Sequence, residues 1–181
     1  MSNAEAASPT VSLEEGSPEA LHARHALELL RSEQNLTSGV LGGAIGAVVG
    51  ASLWAGVTFV TGYQIGWMAV GIGFLAGFGV RLLGKGIDQV FGIAGSLLSL
   101  AGCGLGKLLA VCGLVSNQQG LPFFDVLSRL DLEIAGGLMM ATFSPMDLLF
   151  YGIAMYEGYK FSFRSLTPED LGLPSEEGGA S

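Results

Sequence analysis

Charge is scarce in this sequence: 13% of its 181 residues are Asp, Glu, Lys or Arg, against about 25% in an ordinary soluble domain. The 8 Lys and Arg residues form no cluster, so the electrostatic footprint of a nucleic-acid binder is missing and no nucleic-acid partner is expected. Only 2 cysteines occur, Cys103 and Cys112. At about 100° per helical residue their spacing puts them on opposite faces of one helix, which argues against a mutual disulfide or a shared metal site. The chain also lacks a P-loop, H-E-x-x-H, G-x-S-x-G and C-x-x-C, so neither an enzyme nor a cofactor is expected. No cleavable signal peptide is expected either, because the first apolar run begins near residue 39 behind an acidic segment.

What the chain does have is apolar length and glycine. Half of it is hydrophobic, its mean hydropathy is +0.54, and it holds 29 glycines, about twice the usual share of roughly 7%. No G-x-y period accompanies them, so a membrane protein is the expected class. The net charge of −8 belongs mostly to the ends. Glu5, Glu14, Glu15, Glu19, Glu28 and Glu33 precede the apolar middle, and Glu169, Asp170, Glu176 and Glu177 follow it.

Residues 1–16 and 165–181 read as disordered acidic tails. Ser17-Pro18-Glu19 opens a soluble helix within residues 17–38, which end in a linker to the membrane. His22 and His25 lie on one side of this helix, too few for a convincing metal site. The membrane domain covers residues 39–164, with spans at about 40–60, 65–83, 90–115 and 146–163. The first is about 31 Å long at 1.5 Å per residue, which matches a hydrocarbon core of about 30 Å. Between the third and fourth spans, residues 122–131 alternate Phe123, Phe124, Val126, Leu127 and Leu130 with Asp125, Ser128, Arg129 and Asp131, the pattern of an interfacial amphipathic helix. The expected fold is therefore an all-α membrane protein, a four-helix transmembrane bundle with glycine-rich packing faces. The rival is three spans plus a re-entrant or interfacial segment over residues 134–163, broken at Ser144-Pro145. With four spans and the N-terminus inside, Arg24, Arg31, Arg81, Lys85, Lys160 and Arg164 fall on the cytoplasmic side and only Arg129 in an outer loop. That bias places both termini in the cytoplasm.

Small residues recur at four-residue spacing: Gly42, Gly46 and Gly50 in the first span, Ala69, Gly73 and Gly77 in the second, Gly102, Gly106 and Ala110 in the third. In a bilayer such faces let helix backbones approach. Packing within the chain, a subunit interface, and a pore or groove are the readings open to them. The intramembrane polar candidates are Lys107, Asp147, Tyr151 and Glu157. Lys107 either snorkels to the headgroups, forms a structural ion pair, or serves a transport path. Depth matching points it at Asp147 on the returning helix. The tilt of the Cβ bonds works against a direct bond, so either the long lysine stem bridges about five residues of depth or the Tyr151 hydroxyl links the two. Glu157 is expected in a local salt bridge with Lys160. Arg81 and Lys85 read as inner-surface anchors or a headgroup site.

Three stretches, "TGYQIGWMAVGIGFLAGFGVR", "GKGID" and "FSPMDLLFYGIAMYEGYKFSF", resemble the C-terminal membrane domain of a family of uncharacterised bacterial multi-pass membrane proteins, over roughly residues 40–164. The resemblance implies the bacterial inner membrane and nothing catalytic. That family often carries an N-terminal zinc ribbon, and the cysteine-free N-terminus here departs from it. Two functions follow as expectations: a non-enzymatic scaffold or assembly subunit, or an oligomeric channel or transporter subunit for small solutes or ions. The expected partners are the lipid bilayer and either further copies of the chain or another membrane protein.

Overall fold

A computed structural model describes residues 18–63, 65–167 and 170. The expected disordered tails, and Ser17 as a helix cap, lie almost wholly outside the described residues. The chain divides into two units, one of residues 1–32 with 165–181 and one of residues 33–164. In the first, α1 (Pro18–Ser32) is a helix on which His22 and His25 are both exposed.

The second unit holds six helices: α2 (Leu36–Thr61), α3 (Met68–Gly84), α4 (Gln89–Gln119), α5 (Phe123–Ser128), α6 (Leu132–Thr142) and α7 (Pro145–Phe161). No strand occurs among the described residues. α2 starts inside the stretch expected to be linker because Asn35 caps it, its side chain accepting from the Ser38 N–H at 3.0 Å. It stops at Gly62, whose φ of 72° is the left-handed conformation that closes a helix. α3 is shorter than the expected second span. A tight entry turn, with Met68 N–H bonded to Ile65 O and Ala69 N–H to Gly66 O, leads into it. Its 17 residues reach only about 25 Å.

The single amphipathic helix expected at 122–131 is a further correction. α5 closes after 6 residues, and Asp131 starts a new helix by accepting from the Ile134 N–H at 2.7 Å. That new helix, α6, meets α7 at a bend of 104°. The residue before a proline avoids helical backbone, and Ser144 is extended (φ −117°, ψ 147°), so the chain turns there.

α3 and α4 pack on each other and form the middle of the unit, with α2 against both on one side and α7 against both on the other. α5 and α6 touch only α4 among these helices. The interior is built from small side chains: Ala47, Ala51, Ala69, Ala76, Ala110, Ala154, Ser99 and Cys103 are buried. The large apolar residues point outward instead, among them Leu41, Ile45, Val48, Leu53, Phe74, Leu82, Ile93 and Leu97. A soluble domain puts such side chains in its core, and an apolar exterior this extensive marks contact with another apolar phase. α2 and α4 are long and apolar enough to cross a membrane, and the bent α6–α7 pair is a third candidate. The protein is thus all-helical with two or three potential membrane-crossing segments.

Glycine brings these backbones together. A Cβ on Gly42 would strike the carbonyl of Gly79, and one on Gly79 would strike that of Gly42, so α2 and α3 cross backbone to backbone. Gly46 abuts Leu75, and Gly50 abuts Ile72. On the other side of α3, Gly73 lies on the Ala154 backbone, and a Cβ on Gly77 would sit 2.7 Å from Gly158 O. Gly102 and Gly106 of α4 face Ala47, Ala51 and Trp54 of α2 and Ile72 of α3. Each of these glycines is therefore spent on a contact within the chain.

Candidate functional site

The most expensive side chain in an apolar bundle is a buried charge, and Lys107 is that residue, 2% exposed. Eighteen residues into α4, it stands about 27 Å from the start of the helix, at the level where α6 ends and α7 begins. Its ammonium donates to Asp147 Oδ2 directly, and to the carbonyl oxygen of Thr142 at 2.7 Å. The Phe143 ring lies 5.6 Å from Nζ, within cation–π range. Tyr151 does not link the pair; its hydroxyl is buried with no hydrogen-bond partner.

The direct contact decides between the two, and the bend supplies the reason. α7 does not enter as the end of a straight rod. It starts abruptly at Pro145, so Asp147 sits at the corner within reach of the lysine's four-carbon stem.

Both acceptors suit a cation. Thr142 is the last residue of α6, where helix carbonyls lack partners and carry the negative end of the dipole. Asp147 is the third residue of α7, where its carboxylate accepts from the Ser144 N–H at 2.8 Å in a capping box. Lys107 therefore fastens the C-terminus of one helix and the N-terminus of the next to the middle of α4. Asp147 is 17% exposed, so the pair is largely removed from solvent.

The other candidates lie elsewhere. Glu157 is half-buried on α7 and has no ion-pair partner among the described residues. Lys160 turns from it to the rings of Tyr156 and Phe161, 6.0 and 5.8 Å away. The expected local salt bridge is absent because the ammonium has aromatic faces within one turn. Arg81 is half-exposed in the last turn of α3. Lys85 pairs with Glu33 at 3.7 Å, and Arg164 reaches the same carboxylate at 3.8 Å. These contacts are solvated and contribute little, about 0–1 kcal/mol each.

At that end a glutamine matters more. Gln34 Oε1 accepts from the N–H groups of Ile87 and Asp88 at 3.0 and 3.2 Å, and its amide donates to Asp88 Oδ2. Its neighbour Asn35 donates its N–H to Gly84 O. Gln34 sits in a stretch that reads as linker, and no periodicity signals its role.

Two more buried groups on α2, one of them at this corner, carry no mark in the sequence. Trp54 of α2 is 2% exposed and its indole N–H has no partner; Thr58, one turn on, has a buried and unpartnered hydroxyl. Trp54, Asp147, Phe150, Thr142, Ser144 and Met146 line a cavity of about 210 Å³. A tryptophan within an apolar span reads as a lipid contact, so its place on the inner face was not legible. No protein-family model, curated protein or solved structure matches the chain.

Proposed function

We propose that the protein is a non-enzymatic scaffold or assembly subunit embedded in the bacterial inner membrane. The observation that carries this reading is the use of Lys107: the buried charge is neutralised and spent on fixing the α6–α7 corner to α4. A transport path needs polar groups left free to face water. Here Ser96, Ser99 and Ser162 turn their hydroxyls onto the carbonyls of Met155, Gly95 and Gly158, and the unpartnered polar atoms of Trp54, Thr58 and Tyr151 are shut off from water. Gly42, Gly46, Gly73, Gly77 and Gly79 abut backbone of the neighbouring helix, which supports a bundle closed by its own packing.

In this reading α2, α3, α4 and α7 traverse the bilayer and α5 and α6 lie at the outer interface. The short α3 fits by local thinning of the bilayer. The bias of Lys and Arg supports cytoplasmic termini, and the resemblance over residues 40–164 supports a bacterial membrane. Partners are engaged outside the bundle, by residues 17–35 or by the α5–α6 segment.

Reconstitution into proteoliposomes tests the proposal. Ion and small-solute flux should match that of empty vesicles, and Lys107→Met should not alter it. A flux that depends on Lys107 would overturn the scaffold reading in favour of a pathway.

A further inference from the structure

Glu157 lies deep along α7 without a partner. α3 and α7 run side by side in the same direction: a Cβ on Gly73 would meet the Ala154 backbone, and one on Gly77 the Gly158 backbone. Glu157, next to Gly158, is therefore level with the middle of α3, about 12 Å from either end of that helix. It is half-buried, and no ion pair or hydrogen bond reaches its carboxylate among the described residues. An acid at such a depth in a membrane bundle calls for a cation, and here the cation comes from outside the chain.

The register of α7 says which one fits. At about 100° per residue, Glu157 and Lys160 stand about 60° apart around the helix, with Ile153 between them. This strip is turned away from Ala154, Gly158 and Ser162, which meet α3 and α4. Lys160 is exposed on it, its ammonium over the Tyr156 and Phe161 rings and not on Glu157. Beside the strip, Phe74 and Phe78 of α3 are exposed and stacked on each other, and Phe74 packs edge-on against Phe161.

Two such strips facing each other across a twofold axis along the membrane normal are self-complementary. With Ile153 at the axis, Glu157 of one copy falls on the same side as the partner's Lys160, and the reverse holds on the other side. The two differ in depth by about 4.5 Å, which the four-carbon lysine stem spans. A strip of one sign would repel its own copy; this one carries one charge of each.

We propose that the outer strip of α7 is the seam of a homodimer, in which Glu157 pairs with the partner's Lys160 on each side of the axis. The inference rests on the reading of α7 as a bilayer-crossing helix. The side of the membrane from which Ser165→Cys labels reports that crossing separately, so the two can fail independently.

Full chains carrying a donor or an acceptor dye at the N-terminus, reconstituted in phosphatidylcholine vesicles, test it. The parent chain should show energy transfer that unlabelled parent chain competes away. Lys160→Glu makes the strip wholly acidic and Glu157→Lys makes it wholly basic, so each alone should associate about tenfold or more weakly. Mixed in equal amounts, the two variants should recover the parent's transfer, a return that a Glu157–Lys160 pair within one chain would not give. A second measurement needs neither charge variant. With Cys103 and Cys112 replaced by Ala, Ile153→Cys should cross-link to a dimer on oxidation about tenfold faster than Gly152→Cys, which sits about 100° around the helix. No competable transfer by the parent, undiminished association of either single variant, no gain on mixing variants that keep the parent's thermal midpoint, or equal cross-linking at 152 and 153 would each overturn the proposal.

Discussion

Replacing Asp147 by Asn removes one charge and almost no volume, so it isolates what the carboxylate does for Lys107. The ammonium stays buried, holding the Thr142 carbonyl and a neutral amide oxygen in place of a carboxylate. Breaking a buried pair in this way costs about 3–5 kcal/mol, and the remaining amide acceptor puts Asp147→Asn near 3. Lys107→Met leaves the carboxylate bonded to the Ser144 N–H and partly exposed, a milder loss of about 2 kcal/mol by the same reasoning. The double variant has no charge to bury. It loses chiefly the hydrogen bond to Thr142, about 1 kcal/mol. The singles sum to about 5 and the double stays near 1–2, a coupling of about 3 kcal/mol, far above the 0.3–0.5 kcal/mol scatter of independent sites. Unfolding free energies measured by denaturing-detergent titration in one fixed micelle system give all four corners of the cycle. Losses that add, with the double variant as unstable as the sum, would refute a pair that acts as one unit.

The glycines divide into two predicted classes. Gly73→Ala forces a methyl onto the Ala154 backbone and should cost about 1–3 kcal/mol, whereas Gly56→Ala and Gly152→Ala meet nothing within 4 Å and should leave unfolding within about 0.5 kcal/mol of the parent. Lys85 holds a left-handed φ of 49° at the end of α3, so Lys85→Gly should raise stability by up to about 1 kcal/mol in the same titration. Gln34→Ala strands the N–H groups of Ile87 and Asp88; a loss of about 1–2 kcal/mol is expected, with faster hydrogen exchange at those two amides.

The sequence carried some of this structure openly and hid the rest for physical reasons. Four-residue spacing marks small faces because a helix repeats every 3.6 residues, and Gly42, Gly73 and Gly102 all face helix contacts. Spacing names no partner, so the pairing of Gly42 with Gly79, or Gly77 with Gly158, emerges only when the helices are assembled. Ser144-Pro145 announced a break, yet it gave no angle. The tilt of the Cβ bonds pointed to Tyr151 as a link, where the 104° corner puts Asp147 itself against Lys107. Trp54 stayed hidden because an indole reads the same on either face of an apolar helix. Gln34 stayed hidden because a glutamine in a polar stretch has no pattern, and its worth lies in two amides more than 50 residues away.

The proposed bundle crosses the bilayer four times, with α7 as a true return. Single cysteines introduced at Ser32, in the α5 segment at Ser128, and at Ser165, in a chain with Cys103 and Cys112 replaced by Ala, report this directly through an impermeant maleimide applied to intact cells. Cysteine at 128 should label from outside, and cysteines at 32 and 165 only after the membrane is opened. Labelling of 165 in intact cells with 32 protected would contradict the four-crossing bundle and leave α6–α7 as a re-entrant segment.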